Sequence, residues 1–191
     1  SFYGAAYDFE TGGLPSAPGA GNRFVYGYRP VLTVLPNGLT VTYDGQVPVL
    51  SAGITGLVNG DSAADAWSGS AGLTGAGRIA GTYTIAASLG TLASDMNYDF
   101  AFGTGTLRID PRAITAPLAA NGKTYDGTTT GAGALSLNGV IAGDQVGVTG
   151  NLAFGDKNAA TGKTVTASGI TLSGTDAGNY TVNATATALA D

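Results

Sequence analysis

The sequence predicts an all-β protein of two tandem β-sandwich-like modules; the alternative is a β-grasp-like form of these modules with one short helix. Three observations predict this class. Apolar residues alternate with Thr in short runs, Gly-rich turns separate the runs, and a set of short motifs occurs twice. The hydrophobic fraction of 43% is high enough to form a core. Glycine, at 32 of 191 residues, has no three-residue period, which excludes a collagen-like chain.

The predicted strands are short runs in which Thr alternates with apolar residues. Residues 39–43 and 82–86 show this pattern in the first half of the chain, and residues 163–167 and 180–184 show it in the second. Such alternation gives a strand one buried and one solvated face. Asn37-Gly38 follows the β-branched run of residues 31–35 and Asp44-Gly45 follows residues 39–43, so the pattern predicts strands joined by tight turns.

One short helix is predicted in the first half, over residues 62–67. Ala63 and Ala64 favour a helix, and Asp61 precedes them at a position suited to an N-cap. The second half has Asp144-Gln145-Val146 at the equivalent place, which is less favourable to a helix.

A repeat with an offset of about 82 residues organises the chain. The repeated motifs keep their order and nearly the same spacing in both halves. They are Tyr43-Asp44-Gly45 and Tyr125-Asp126-Gly127, Gly60-Asp61 and Gly143-Asp144, and Asn97-Tyr98 and Asn179-Tyr180. We interpret the Asp-Gly pairs as tight turns, in which Asp accepts backbone N–H groups and Gly supplies a positive φ. Tyr43 and Tyr125 are then core or inter-sheet anchors with the hydroxyl at the surface.

The repeat divides the chain into two modules, residues 30–110 and 111–191. Pro111 and Pro117 mark the join, because proline breaks ladder pairing and stiffens a connection. Residues 1–29 lie outside the repeat and contain an aromatic-rich run followed by a loop with Gly and Pro. We interpret this N-terminal segment as the remnant of a preceding module.

Composition excludes several classes of function. The formal net charge is −5 and no basic cluster compensates for it, so neither nucleic acid nor an anionic membrane is an expected partner. No apolar stretch reaches the roughly 18 residues that a membrane helix needs. The sequence has no Cys and no His, which removes thiolate nucleophiles, the Ser–His pair, a disulfide scaffold and most transition-metal sites. We therefore predict no catalytic residue and no cofactor.

Taken in order, the motifs resemble the MBG and YDG repeats of large bacterial adhesins. The first module is similar to MBG through residues 56–61 and 81–85 and the pair Asn97-Tyr98, and the second is similar to YDG through residues 123–129 and 174–180. Such repeats occur in filamentous-haemagglutinin-like exoproteins of the two-partner secretion route. The resemblance implies a secreted protein on the bacterial cell surface or in the extracellular matrix, with a role in adhesion, aggregation or biofilm formation.

The function expected from this resemblance is that of a structural stalk, in which neighbouring modules of the same chain are the main partners. The alternative is a module that binds an exopolysaccharide or a host glycan, with Trp67 as the candidate sugar contact, because aromatic faces stack on sugars. Homotypic contact between modules on neighbouring cells is a third expectation.

The acidic residues suggest two sharper hypotheses, a calcium site and a glycosidase pair. Asp61 and Asp144 recur and are the best calcium candidates; further candidates are Asp95, Asp156 and Asp176. Calcium needs six to eight oxygen ligands, and the sequence has no Asp-x-Asp-x-Asp loop, so turn or cap roles are the default interpretation. Asp95 and Asp99 are close enough in sequence for a carboxyl pair, but nothing in the sequence indicates a sugar-sized cleft.

Overall fold

A computed structural model describes Phe2–Tyr3, Val25–Tyr26 and residues 29–190. The interpretation of residues 1–29 as the remnant of a preceding module therefore falls almost entirely outside the described residues. The predicted boundary between residues 110 and 111 stays a prediction.

Nearly all elements of the described chain are short strands. In chain order they are β1 (Phe2–Tyr3), β2 (Val25–Tyr26), β3 (Val31–Pro36), β4 (Leu39–Thr42), β5 (Ala52–Thr55), α1 (Ala63–Ala66), β6 (Trp67–Ser68), β7 (Gly72–Thr74), β8 (Gly81–Ser88), β9 (Ala93–Ser94), β10 (Asp99–Phe102), β11 (Thr104–Asp110), β12 (Arg112–Ile114), β13 (Leu118–Asn121), β14 (Ala132–Leu135), β15 (Gly147–Phe154), β16 (Lys163–Ser173), a 3-10 turn (Ala177–Asn179), β17 (Tyr180–Val182) and β18 (Thr185–Ala190). The predicted all-β class with one short helix is confirmed.

The chain folds as two compact units that do not follow the sequence repeat residue by residue. Of the residues that the structure describes, the first unit takes those up to Leu39 together with Val47–Gly77 and Thr82–Arg108. The second takes Thr40–Gln46, Arg78–Gly81 and the described residues from Ile109 onwards. Two short stretches of the first repeat, residues 40–46 and 78–81, are thus parts of the second unit.

The core of the first unit lies against the strand β3. In its three-stranded sheet β3 pairs antiparallel with β5 and parallel with β10. Leu32 and Val34 are fully buried while their neighbours Val31 and Leu35 are exposed, which is the alternation expected of a half-buried strand. Leu32 packs with Ala66 and Tyr98 in one apolar cluster. In a further sheet β7 pairs antiparallel with β8.

The second unit is built on an antiparallel sheet in the order β15-β16-β18. Its apolar side chains form two clusters, one around Ala116, Ala167 and Ile170 and the other around Phe154 and Val165. A register shift between Thr149 and Asn151 bends β15, as a β-bulge does. The hairpin of β13 and β14 and the parallel pair of β12 and β17 complete the unit.

Each repeat contains a parallel pair with the same register. β3 pairs with β10 through Val31 and Asp99, and β12 pairs with β17 through Arg112 and Tyr180, so the sequence separation is identical. Parallel neighbours need a long crossover, and all intervening strands of the repeat supply it. A plain sandwich of antiparallel sheets lacks such a pair, and local alternation does not predict it.

The short helix α1 is present, but the predicted cap at Asp61 is wrong. The N-cap residue is Ser62, whose hydroxyl donates to the Asp65 carboxylate at 2.6 Å. Asp61 does not serve as the cap because its carboxylate accepts the Tyr98 hydroxyl instead. None of the helices in the described part of the chain is long and apolar enough to cross a membrane.

Candidate functional site

The Gly-Asp motif of the first repeat forms a tight turn that is closed by a tyrosine. The Asp61 N–H donates to the Val58 carbonyl at 3.0 Å. The Tyr98 hydroxyl donates to Asp61 Oδ2 at 2.8 Å and accepts the Val58 N–H at 3.1 Å. A buried tyrosine hydroxyl thus links both sides of the turn, which satisfies its donor and its acceptor capacity.

The second repeat builds the same turn from equivalent residues. The Asp144 N–H donates to the Ile141 carbonyl at 3.1 Å. The Tyr180 hydroxyl donates to Asp144 Oδ2 at 2.5 Å and accepts the Ile141 N–H at 3.0 Å. We call each of these arrangements a Tyr–Asp turn. Two of the three repeated motifs therefore meet at one place in each repeat.

The third repeated motif joins the Tyr–Asp turn of the second unit through Tyr43. Its hydroxyl donates to Asp144 Oδ2 at 2.9 Å, and its ring stands edge-on to the Tyr180 ring with centroids 5.5 Å apart. Tyr43 is 2% exposed. The Tyr43 N–H donates to the Asp110 carbonyl at 2.8 Å, which fixes the backbone beside the ring. One carboxylate oxygen therefore accepts two tyrosine hydroxyls.

The two hydroxyls of this cluster are held protonated. Burial, reinforced by the hydrogen bond to Asp144, raises the pKa of Tyr180 to about 12. The same two causes, in the same order, raise the pKa of Tyr43. Both groups therefore remain neutral donors at physiological pH.

The asparagine of each Asn-Tyr motif also holds a chain segment. Asn179 is buried, and its Oδ1 accepts the Ala80 N–H at 2.8 Å, so residues 78–81 are fixed beside the turn of the second unit. Asn97 has a positive φ of 67°, and its Oδ1 accepts the Arg29 guanidinium. Arg29 also pairs with Asp99 at 2.9 Å.

Both Tyr-Asp-Gly motifs form the same local turn. Asp44 Oδ1 accepts the Gln46 N–H and Asp126 Oδ1 accepts the Thr128 N–H, each at 2.9 Å. The following glycines, Gly45 and Gly127, have φ values of 78° and 75°, a region that side chains with a Cβ rarely adopt. The motif therefore has the same turn geometry in both repeats.

The second Tyr-Asp-Gly turn has additional hydrogen bonds from a lysine, and its tyrosine ring is exposed. Lys123 Nζ donates to Asp126 Oδ1 at 2.8 Å and to the Thr128 carbonyl at 3.0 Å. The bond from Lys123, followed by those from the Thr128 N–H and hydroxyl, lowers the pKa of Asp126 to about 2. Tyr125 is 63% exposed, so the prediction that it anchors a core is wrong; Tyr43 is buried, but its hydroxyl contacts Asp144 and does not lie at the surface. A cavity of about 90 Å³ lies beside Tyr125; its lining includes Phe154, Lys157 and Lys163.

The remaining predicted site residues lie at separate places. Trp67 is half-buried against the cluster of Leu32, Ala66 and Tyr98. Asp176 Oδ2 accepts the Gln145 N–H at 2.8 Å.

Two further acidic candidates have local partners. The Asp95 N–H donates to the Ala66 carbonyl at 3.1 Å. The Asp156 carboxylate accepts Lys163 Nζ, and this bond lowers the pKa of Asp156. Within the described part of the chain, no group of three or more acidic side chains is placed to hold a metal ion.

Some residues of the site were not predicted from the sequence. In each Tyr–Asp turn a backbone N–H donates to the tyrosine hydroxyl. These N–H groups belong to Val58 and Ile141, which lie three residues before the aspartate. Their shared position in the two Gly-Asp motifs was the signal available for finding them. The ion pair of Lys123 with Asp126 was also not predicted, although the sequence analysis places Lys123 in the YDG-like run.

Comparison with protein families assigns both modules. The family model for the MBG domain of the YGX type matches residues 32–108, and the model for the YDG domain matches residues 110–188. No curated protein and no solved structure matches the chain. The two matches agree with the motifs that gave the resemblance, and the chain is a tandem of an MBG domain and a YDG domain.

Proposed function

We propose that the chain is a structural repeat region in the stalk of a secreted bacterial surface adhesin, supporting adhesion, aggregation or biofilm formation. The observation that carries the proposal is the use made of the repeated residues. Tyr43, Asp144 and Tyr180 are tied to one another, and Asp61 is tied to Tyr98. Residues that recur in each repeat are thus used to hold the chain together, as expected of a building unit of an array.

The composition supports export and folding outside the cell. The chain has no Cys, so its folding does not depend on disulfide formation, and its charged fraction is only 11%. Its Gly-rich turns and short strands are stabilised by local hydrogen bonds such as those of Asp44 and Asp126. Export by the two-partner route and a position on the cell surface are parts of the proposal.

The proposal assigns the chain no catalytic role. Asp95 and Asp99 are the pair considered for glycoside hydrolysis, and Asp99 forms an ion pair with Arg29. Asp126 binds a lysine, and Asp144 binds two tyrosines. Neighbouring repeats are the proposed partners.

Labelling of the bacterium that produces the protein tests the location. An antiserum raised against residues 30–191 is applied to intact and to lysed cells, with an antiserum to a cytoplasmic protein as the control. We expect signal on intact cells and in the culture medium. Signal that appears only after lysis contradicts the proposal.

Removal of residues 30–191 from the parent gene tests the structural role. We expect the shortened protein to be exported in equal amount and cell aggregation to fall. Replacement of residues 30–191 by two unrelated all-β domains of similar length distinguishes a need for length from specific recognition. Restored aggregation supports a stalk, and aggregation that is not restored contradicts it.

Binding of carbohydrate is the second candidate, and one observation favours it. Phe102 is 39% exposed, and its ring stacks on that of Phe100 at a centroid distance of 6.4 Å and an interplanar angle of 21°. A supported aromatic face of this kind suits stacking on a sugar ring. A glycan array probed with the chain and with Phe102→Ser tests it; Val49→Ser is the matched control, because Val49 is 92% exposed. Equal binding by all three proteins contradicts this role.

A further inference from the structure

In the second unit, segments of the first repeat contact repeated motifs of the second. The ring of Tyr43 meets Tyr180 and its hydroxyl meets Asp144, while the Ala80 N–H meets Asn179. Gly45 lies over Ile141, where an added Cβ would be 3.5 Å from Ile141 Cγ2. Residues 40–46 and 78–81 thus contact four residues in the Gly-Asp and Asn-Tyr regions of the second repeat, in addition to the bond of the Tyr43 N–H to the Asp110 carbonyl.

The repeat offset places the equivalents of these two segments at residues 122–128 and 160–163. The Tyr-Asp-Gly turn of residues 125–127 has the same backbone and the same aspartate bond as that of residues 43–45. Its surroundings differ. Tyr125 is 63% exposed, and an added Cβ on Gly127 would meet nothing within 4 Å. The segment that engages a Tyr–Asp turn in the first repeat is therefore preformed and open in the second.

The cavity beside Tyr125 joins both segments into one surface. We define the Tyr125 surface by six of the residues that line this cavity of about 90 Å³. They are Lys123, Tyr125, Thr128, Phe154, Ala160 and Lys163. Lys123 holds the turn in place through Asp126 and Thr128, so the surface does not need to be ordered on binding.

The charge of the cavity indicates the chemistry of its partner. Its charged lining residues are Lys123, Lys157, Lys163 and Asp156. Lys123 is paired with Asp126 and Lys163 with Asp156, so the positive charge in excess is that of Lys157. A net positive charge suits an acidic turn such as the one that carries Asp144. Charge complementarity of this kind favours the correct register over alternatives.

We propose that the Tyr125 surface docks the Tyr–Asp turn of a further repeat of this type. The Tyr125 hydroxyl donates to the aspartate of that turn, and the Tyr125 ring packs edge-on against the tyrosine of its Asn-Tyr motif. The inference rests on the structural role proposed above and names the partner of this surface. It concerns contact between repeats only, so its test is independent of where the parent protein is located.

The test uses the full chain extended at its C-terminus by a second copy of residues 111–191. In this chain the appended Tyr–Asp turn follows Tyr125 at nearly the spacing that separates Asp144 from Tyr43. Thermal unfolding is measured for both chains with and without Tyr125→Phe. We expect the substitution to lower Tm by about 3 °C in the extended chain and by less than about 1 °C in the 191-residue chain.

Tyr43→Phe in the 191-residue chain is the matched control, and it should lower Tm by a similar amount. If Tyr43→Phe lowers Tm while Tyr125→Phe leaves the extended chain unchanged, the proposal is overturned. Hydrogen exchange at the appended copy of the Ile141 amide gives a second measurement. The Tyr180 copy of the same repeat already protects this amide, so we expect Tyr125→Phe to weaken the protection; equal protection with and without the substitution overturns the proposal.

A sugar ligand is the other result that overturns it. If a glycan binds the 191-residue chain and Tyr125→Ala abolishes that binding, the surface is a carbohydrate site. If the docking measurements give the expected results but labelling does not find the protein on the cell surface, the contact between repeats is supported and only the adhesin role is rejected.

Discussion

Tyr43-Asp44-Gly45 and Tyr125-Asp126-Gly127 have the same sequence and the same local turn, but their tyrosines have opposite environments. Tyr43 is 2% exposed, and Tyr125 is 63% exposed. The aspartate bonds are each 2.9 Å long and the glycine φ values differ by only a few degrees. The comparison separates what the motif determines by itself from what a neighbouring Tyr–Asp turn adds to it.

The largest expected difference comes from removal of the two rings. Tyr43→Ala removes the packing against Tyr180 and leaves a hole in the second unit, so we expect it to lower the free energy of unfolding by about 3–5 kcal/mol. Tyr125→Ala should change it by no more than about 0.5 kcal/mol. Urea unfolding followed by circular dichroism measures both, and equal losses would refute the distinction.

A smaller effect is expected from the aspartate that ties Tyr43 to Tyr180. Asp144→Ala removes the acceptor of two tyrosine hydroxyls, and we expect a loss of about 2 kcal/mol. Combination with Tyr43→Phe completes a double-mutant cycle, in which we expect a coupling energy of about 1 kcal/mol. Additivity of the two losses would show that the Tyr43 hydroxyl contributes nothing through Asp144. Tyr125→Phe paired with Asp144→Ala is the control, and it should show no coupling.

The two glycines should respond alike, in contrast to the tyrosines. Gly45→Ala and Gly127→Ala both place a Cβ at a strongly positive φ, and we expect each to cost about 1 kcal/mol. An added Cβ at Gly45 meets Ile141 only at ordinary contact distance, so no clash enlarges its cost. A difference above about 0.5 kcal/mol between the two variants, measured by urea unfolding, would show that the surroundings affect this turn.

The features predicted correctly from the sequence depend on residues that are close together in the chain. The turns at Asp44 and Asp126 follow from side chains that bond two residues ahead and from glycines that tolerate positive φ. The short helix was predicted from Ala63 and Ala64, although its cap was assigned one residue too early. Alternation of Thr with apolar residues predicted the strand class, which the structure confirms.

Features that depend on distant residues were not reached. Local alternation gives no partner for a strand, so the parallel register of Val31 with Asp99 was not foreseen. The place of Tyr43 in the second unit was missed for the same reason, because its partner Asp144 lies 101 residues away. The repeat showed that these residues recur, but only the folded chain brings the three motifs to one carboxylate.

The smallest effect concerns the lysine that distinguishes the second Tyr-Asp-Gly turn from the first. Val41 stands where the second repeat has Lys123, and the Lys123 bond is the main cause of the low pKa of Asp126, about 2. A depressed pKa stabilises the fold above the ordinary value of 3.8, and this stabilisation is lost as the pH falls towards 2. Because the pair is exposed, we expect only a slight change in stability for Lys123→Val.

The titration of Asp126 itself is the sensitive measurement. In Lys123→Val we expect its carboxyl pKa, followed by NMR, to rise towards 3.8 but to stay below it, since the Thr128 N–H and hydroxyl still donate to Asp126. The pH at which acid unfolds the protein should increase together with this pKa. A pKa that stays at about 2 would show that the turn alone sets the acidity, and the two Tyr-Asp-Gly turns would then differ only in what covers their tyrosines.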